Sequence, residues 1–116
     1  MKLLPVLLLL SAPALADAPV VEDATATQTG ATWTVSVTLS HPDTGWDHYA
    51  DGWRIETADG QVLGTRDLLH PHVNEQPFTR SLPGVTIPQG ITQVLIRPRC
   101  NVDEWAKATF ALERPD

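Results

Sequence analysis

Residues 32 to 40 read Thr-Trp-Thr-Val-Ser-Val-Thr-Leu-Ser, an unbroken alternation of polar and apolar side chains. On an extended chain successive side chains point to opposite faces, so Trp33, Val35, Val37 and Leu39 share one side and the hydroxyl residues share the other. A helix cannot collect that pattern on one face, so this period predicts a strand with one buried and one wet face. The β-branched valines and threonines reinforce it. His41-Pro42-Asp43-Thr44-Gly45 follows as a turn cluster.

The remaining chain repeats this pattern in shorter pieces. Residues 17–30, rich in Ala, Thr and Val, read as a first edge strand. Residues 48–57 place Trp53, Ile55 and Thr57 on one face and Arg54 and Glu56 on the other. Ala58-Asp59-Gly60-Gln61 then supplies the Asp-Gly pair favoured in tight hairpins, where positive φ is needed. A return strand is expected over 62–69, ended by Pro71, and a short one over 78–82, closed by Pro83-Gly84. Residues 91–100 direct Val94 and Ile96 inward and Arg97 and Arg99 outward. Residues 105–113 form the last strand, with Ala108, Phe110 and Leu112 apolar. No stretch sustains a 3.6-residue apolar repeat. About seven short strands separated by turn signals predict an all-β fold, an antiparallel immunoglobulin-like β-sandwich. Trp53 stands where such sandwiches carry the core tryptophan of the third strand. The inter-sheet disulfide and corner tyrosine of antibody domains are missing, and layout of this kind implies no function.

Residues 1–16 combine Lys2, an apolar run over 3–10 and a small-residue exit with Ala14 and Ala16, the layout of a cleaved secretory signal peptide. The run is shorter than the roughly 20 apolar residues that span a bilayer. Residues 17–116 are then expected to form one domain, secreted or periplasmic, with no membrane insertion after cleavage. Without Lys2, seven basic side chains face fourteen acidic ones. An acidic surface repels phosphate backbones and argues against nucleic acid, while leaving cations welcome. Cys100 is the single cysteine, so no internal disulfide is possible. A free cysteine is usually a small buried apolar side chain; the alternative is a reactive thiol or an intermolecular bridge.

Gly45-Trp-Asp-His-Tyr-Ala-Asp-Gly-Trp53 and His70-Pro-His-Val-Asn-Glu-Gln-Pro-Phe-Thr-Arg-Ser-Leu82 concentrate the unusual side chains. Together these two strings resemble an uncharacterised family of small secreted proteobacterial proteins. The resemblance implies the same fold and compartment and carries no activity or ligand.

Three constellations could carry chemistry. His70 and His72, two apart on an extended segment, point the same way. With Glu75, and His48 or Asp47 across a neighbouring strand, they could hold zinc or cupric copper. The simpler alternative is a His-Pro-His turn whose rings bond backbone carbonyls. Gly64, His70, His72 and Glu75 partly match the first cupin motif, but Gln93 replaces a ligand histidine of the second. A blue copper site is expected to fail, because no histidine follows Cys100. Trp46, Tyr49 and Trp53 with Asp47 and Asp51 could meet a sugar or cation, or pin a loop. No nucleophile elbow or phosphate-cradling glycine loop is found, so no catalytic residues are expected. Arg66, Arg80, Arg97 and Arg99 should pair with acids, and a buried arginine tying Glu75 to the Asn74 loop is the variant of most interest.

The sequence therefore predicts a non-catalytic periplasmic module that binds a protein or peptide, with no cofactor, through loops 45–49 and 70–77 and their residues Trp46, Tyr49 and Asn74. The alternative is a zinc or cupric copper protein using His70, His72, Glu75 and His48.

Overall fold

A computed structural model describes residues 17–115. The export signal expected at 1–16 lies outside the described residues. Among the described residues eight strands are formed: β1 Val20–Thr29, β2 Thr32–Ser40, β3 Ala50–Glu56, β4 Val62–Asp67, β5 Phe78–Val85, β6 Gln93–Cys100, β7 Glu104–Trp105 and β8 Phe110–Glu113. One sheet has the order β1-β2-β5; the other runs β4-β3-β6-β7, with β8 also paired to β6. All pairings are antiparallel. This is an immunoglobulin-like β-sandwich.

The alternation of β2 is realised in full. Trp33, Val35, Val37 and Leu39 are buried and meet Trp53 and Ile55 of β3, Phe78 and Val85 of β5, and Val94 and Ile96 of β6 in one apolar core. Burying a large aliphatic or aromatic side chain stabilises by roughly 1.5–3 kcal/mol, so this interior supplies the cohesion that a disulfide gives other small sandwiches. On the wet face the hydroxyls pair across strands, Ser36 with Ser81 at 2.6 Å and Thr38 with Thr79 at 2.7 Å. The β3–β4 hairpin turns at Gly60, whose φ of 92° is costly for any residue with a Cβ. Gly64 is explained by packing: a Cβ there would lie 2.9 Å from Leu82 Cδ2.

The chain departs from the single last strand expected over 105–113. It pairs at Glu104–Trp105, leaves the ladder, and returns at Phe110–Glu113. Ala106 is buried but Ala108, two residues on and expected on the same face, is exposed, so the alternation is interrupted there. The crossing is held by Arg97, whose Nη1 donates to the carbonyls of Ala106 at 2.8 Å and Lys107 at 3.0 Å. A side chain thus satisfies backbone acceptors that the ladder leaves open.

Glu56 also differs from expectation. It faces outward yet is buried, because Arg54 and Arg97 close over it. Arg97 donates to both carboxylate oxygens, at 2.8 and 3.1 Å, and Arg54 Nε donates at 2.5 Å. The Arg54 guanidinium in turn lies 4.0 Å above the Trp105 ring. The hydrogen bond from Arg97 outweighs burial and holds the Glu56 carboxyl below its usual 4.5. A lowered folded-state value contributes stability that is complete above 4.5 and is lost as pH falls through the folded value. Thermal melts followed into the acid range should therefore show a fall in Tm that is shallower in Glu56→Gln, and equal slopes in the two proteins would contradict this assignment.

Candidate metal centre

The end of β2, the start of β3 and the end of β6 meet at one end of the sandwich. Pro42 stops β2, and Asp43 turns the chain with its amide donating to the His41 carbonyl at 2.8 Å. A tight loop follows, closed by Thr44 N–H to the His48 carbonyl at 3.0 Å and His48 N–H to the Gly45 carbonyl at 3.2 Å. Gly45, at φ 142°, is the residue that allows the bend. Asn101 fastens this loop from beyond β6: Tyr49 N–H donates to its Oδ1 at 2.9 Å, and its Nδ2 donates to the carbonyls of Trp46 and Asp47.

Asp43 is the centre of the arrangement. Its side chain is fully buried. Oδ1 accepts from His41 Nδ1 at 2.5 Å and from Ala50 N–H at 3.0 Å, and Oδ2 accepts from His72 N–H at 2.8 Å. One carboxylate thereby ties the turn after β2, the first residue of β3 and the 70–77 loop. Nδ1 of His41 donates to Asp43, so in the neutral ring Nε2 is the nitrogen that carries the lone pair. That nitrogen is buried and has no hydrogen-bond partner.

Cys100, fully buried at the end of β6, and half-buried His48 complete the group. His48 Nε2 lies 3.7 Å from Cys100 Sγ, and the His48 and His41 rings meet edge to face with centroids 4.7 Å apart. One donor atom from each of His41, His48 and Cys100 lies within 4.8 Å of the others. The Asp103 amide donates to Cys100 Sγ at 3.3 Å, in a turn whose next residue, Glu104, takes φ 63°. Left-handed non-glycine residues cost about 1–3 kcal/mol and concentrate at functional sites. Two imidazoles and a thiol, with a carboxylate behind one imidazole, are donor types that transition metals take.

His48, one of the four expected ligands, belongs to this group, whereas His70, His72 and Glu75 form no such triplet among the described residues. His70 Nδ1 contacts the Pro71 carbonyl at 3.1 Å, as the simpler sequence alternative has it. His72 is buried, stacks on Phe78 with centroids 3.9 Å apart, and accepts at Nε2 from Arg80 Nη2 at 3.0 Å. Its lone pair is thus committed to a cation. Burial, and then the Arg80 charge, push its pKa below 6.5. Arg80 also donates to Glu75 at 3.1 Å, so an arginine does tie the loop bearing Glu75 and Asn74, although it is only half-buried. Trp46 is exposed and sits edge-on to Tyr49 at 5.6 Å. Asp51 pairs with Arg99 at 3.1 Å, and Trp53 is in the core.

The sequence argument against a blue copper site asked for a histidine after Cys100; the two histidines that gather with Cys100, His41 and His48, both precede it and reach it through the fold. The residues missed as candidate ligands are His41 and Cys100. The signal for them was topological: the last residues of β2 and β6 and the first of β3 must share one end of an antiparallel sandwich.

Asp43→Ala strips donors in three places of their shared acceptor. Hydrogen bonds to a charged group are each worth about 1.5–3 kcal/mol, so unfolding free energy should fall by about 3 kcal/mol or more, read from the denaturant midpoint. A loss below about 1 kcal/mol would mean that Asp43 does not organise this end of the fold.

No family model matches the chain, and no solved structure matches it. It is 52% identical over 62 residues to a protein of Halomicrobium mukohataei named as a putative lipoprotein, a match covering 53% of this chain and 30% of that relative. The chain thus spans less than a third of that relative's length.

Proposed function

We propose that this protein is a non-catalytic extracytoplasmic metal-binding module whose ion sits between His41, His48 and Cys100. The observation that carries this reading is the buried, unpartnered Nε2 of His41, on a ring whose Nδ1 is bonded to Asp43 and which gathers with a histidine and a thiol in one cluster. An unsatisfied buried acceptor costs about 1–3 kcal/mol, and a bound cation would remove that cost. The net formal charge of −6 favours a cation over an anion. An extracytoplasmic location is supported by the signal-like residues 1–16 and by the putative lipoprotein relative; the periplasm is the compartment we favour.

Calorimetric titration of the reduced protein with zinc and with cobalt(II) should give one ion per chain. Cys100→Ser and His48→Gln should each weaken binding at least tenfold, and His70→Ala should leave it unchanged. Loss of binding in His70→Ala, with His48→Gln behaving as wild type, would return the site to the 70–77 loop; absence of heat with either ion would end the metal reading.

A second reading is favoured by Trp46, 66% exposed on the loop that also carries His48. Such an aromatic at a loop tip is a contact residue of the kind that anchors protein interfaces, and Tyr49 and Asn74 lie on the two loops joined through Asp43. An interaction surface over loops 45–49 and 70–77 would then adjoin the metal. Trp46→Ala should abolish capture of a specific protein from envelope extract while keeping metal stoichiometry; unchanged capture would remove this surface.

A further inference from the structure

Which ion these donors select follows from their number, softness and rigidity. Thiolate and imidazole favour zinc and copper over the hard cations that prefer oxygen. Zinc in structural sites takes four protein ligands in a tetrahedron. Here three converge, and the nearest carboxylates are committed elsewhere or displaced. Both oxygens of Asp43 are taken up by His41, Ala50 and His72, and Asp103 Oδ2 accepts from Cys100 Sγ at 3.9 Å without joining the group that the two imidazoles form with the thiol. Two histidines and one cysteine in a trigonal set are the donors of copper electron-transfer centres.

Rigidity points the same way. His41 is pinned by Asp43, His48 by the closed 45–48 loop and Asn101, and Cys100 by its ladder partner Ala50 and the Asp103 amide. A frame fixed in this manner changes little when the ion changes charge. The amide donating to sulfur withdraws charge from it, one of the levers that tune such a centre. His41 and Cys100 are buried, and half-buried His48 is the ligand with an edge toward solvent, the route for an electron.

Resting on the metal-binding reading above, we infer that the ion is copper, held as a one-electron centre by His41 Nε2, His48 Nε2 and Cys100 Sγ. Loading releases the thiol proton as the copper–sulfur bond forms. In turnover, Cu2+ gains one electron from a reduced one-electron redox protein at the His48 edge and becomes Cu+, while that protein's centre is oxidised by one electron. A one-electron acceptor protein reverses the change, and no bond or proton need move in either step.

Reduced wild-type protein should be given one equivalent of cupric ion and followed by visible absorption and electron paramagnetic resonance, with zinc titrated in parallel. Expected are an intense thiolate-to-copper charge-transfer band and a narrow copper hyperfine splitting. The band should bleach with ascorbate, return with ferricyanide, vanish in Cys100→Ser, and be lost or shifted in His48→Gln. Stoichiometric zinc binding with an ordinary tetragonal copper spectrum and no such band would overturn the copper centre and leave the metal reading standing. So would oxidation of Cys100 to a disulfide-linked dimer by the added cupric ion. Failure of both ions to bind would sink both, and an unaltered band in His48→Gln would overturn the assigned ligand set.

Discussion

A carboxylate removed from water must be met by donors or it reverts to the neutral acid. Asp43 is met by one imidazole N–H and two backbone amides, and the geometry at this end of the sandwich follows from that requirement. The groups it gathers come from the turn after β2, the first residue of β3 and the loop before β5, so satisfying one charge fixes three segments at once. It also decides which nitrogen of His41 is left bare. A structural demand and a chemical consequence are carried by the same pair of atoms.

The site is built where three strand ends converge, with each donor attached to a backbone whose position is set by the core. Cys100 is the last residue of β6 and pairs with Ala50; the 45–48 loop bearing His48 is clasped by Asn101. The apolar interior needs no contribution from these polar residues, and its cohesion can therefore tolerate an unsatisfied nitrogen at the rim. Glu56 tells a related story on the outer face, where two arginines and the Trp105 ring make a buried charge acceptable.

Much of the fold was legible because period-two alternation is a local property. β2 could be read residue by residue, and the Asp59-Gly60 turn announced its hairpin. The break between β7 and β8 was not legible, since it depends on Arg97 reaching carbonyls from another strand. The centre was half legible. His48 drew notice from its neighbours in the Trp46 loop, but His41 sat in a turn cluster that reads only as a strand terminator, and Cys100 looked like an inert core residue. Their relation is non-local: it exists only once strand direction and sheet order are known. Spacing arguments favoured His70 and His72 because they are close in sequence, and could not foresee that Arg80 would occupy the lone pair of His72.

The strand borders carry a further consequence. β1 is the outermost strand of its sheet, and its register slips between Val21 and Asp23, next to Glu22. β4, at the margin of the other sheet, has its own slip opposite Ile55 and Glu56 and bears Arg66 and Asp67. Irregular, charged margins are poor templates for a neighbouring chain. At these two margins an incoming strand would meet a broken, charged ladder, which disfavours side-by-side stacking of strands there.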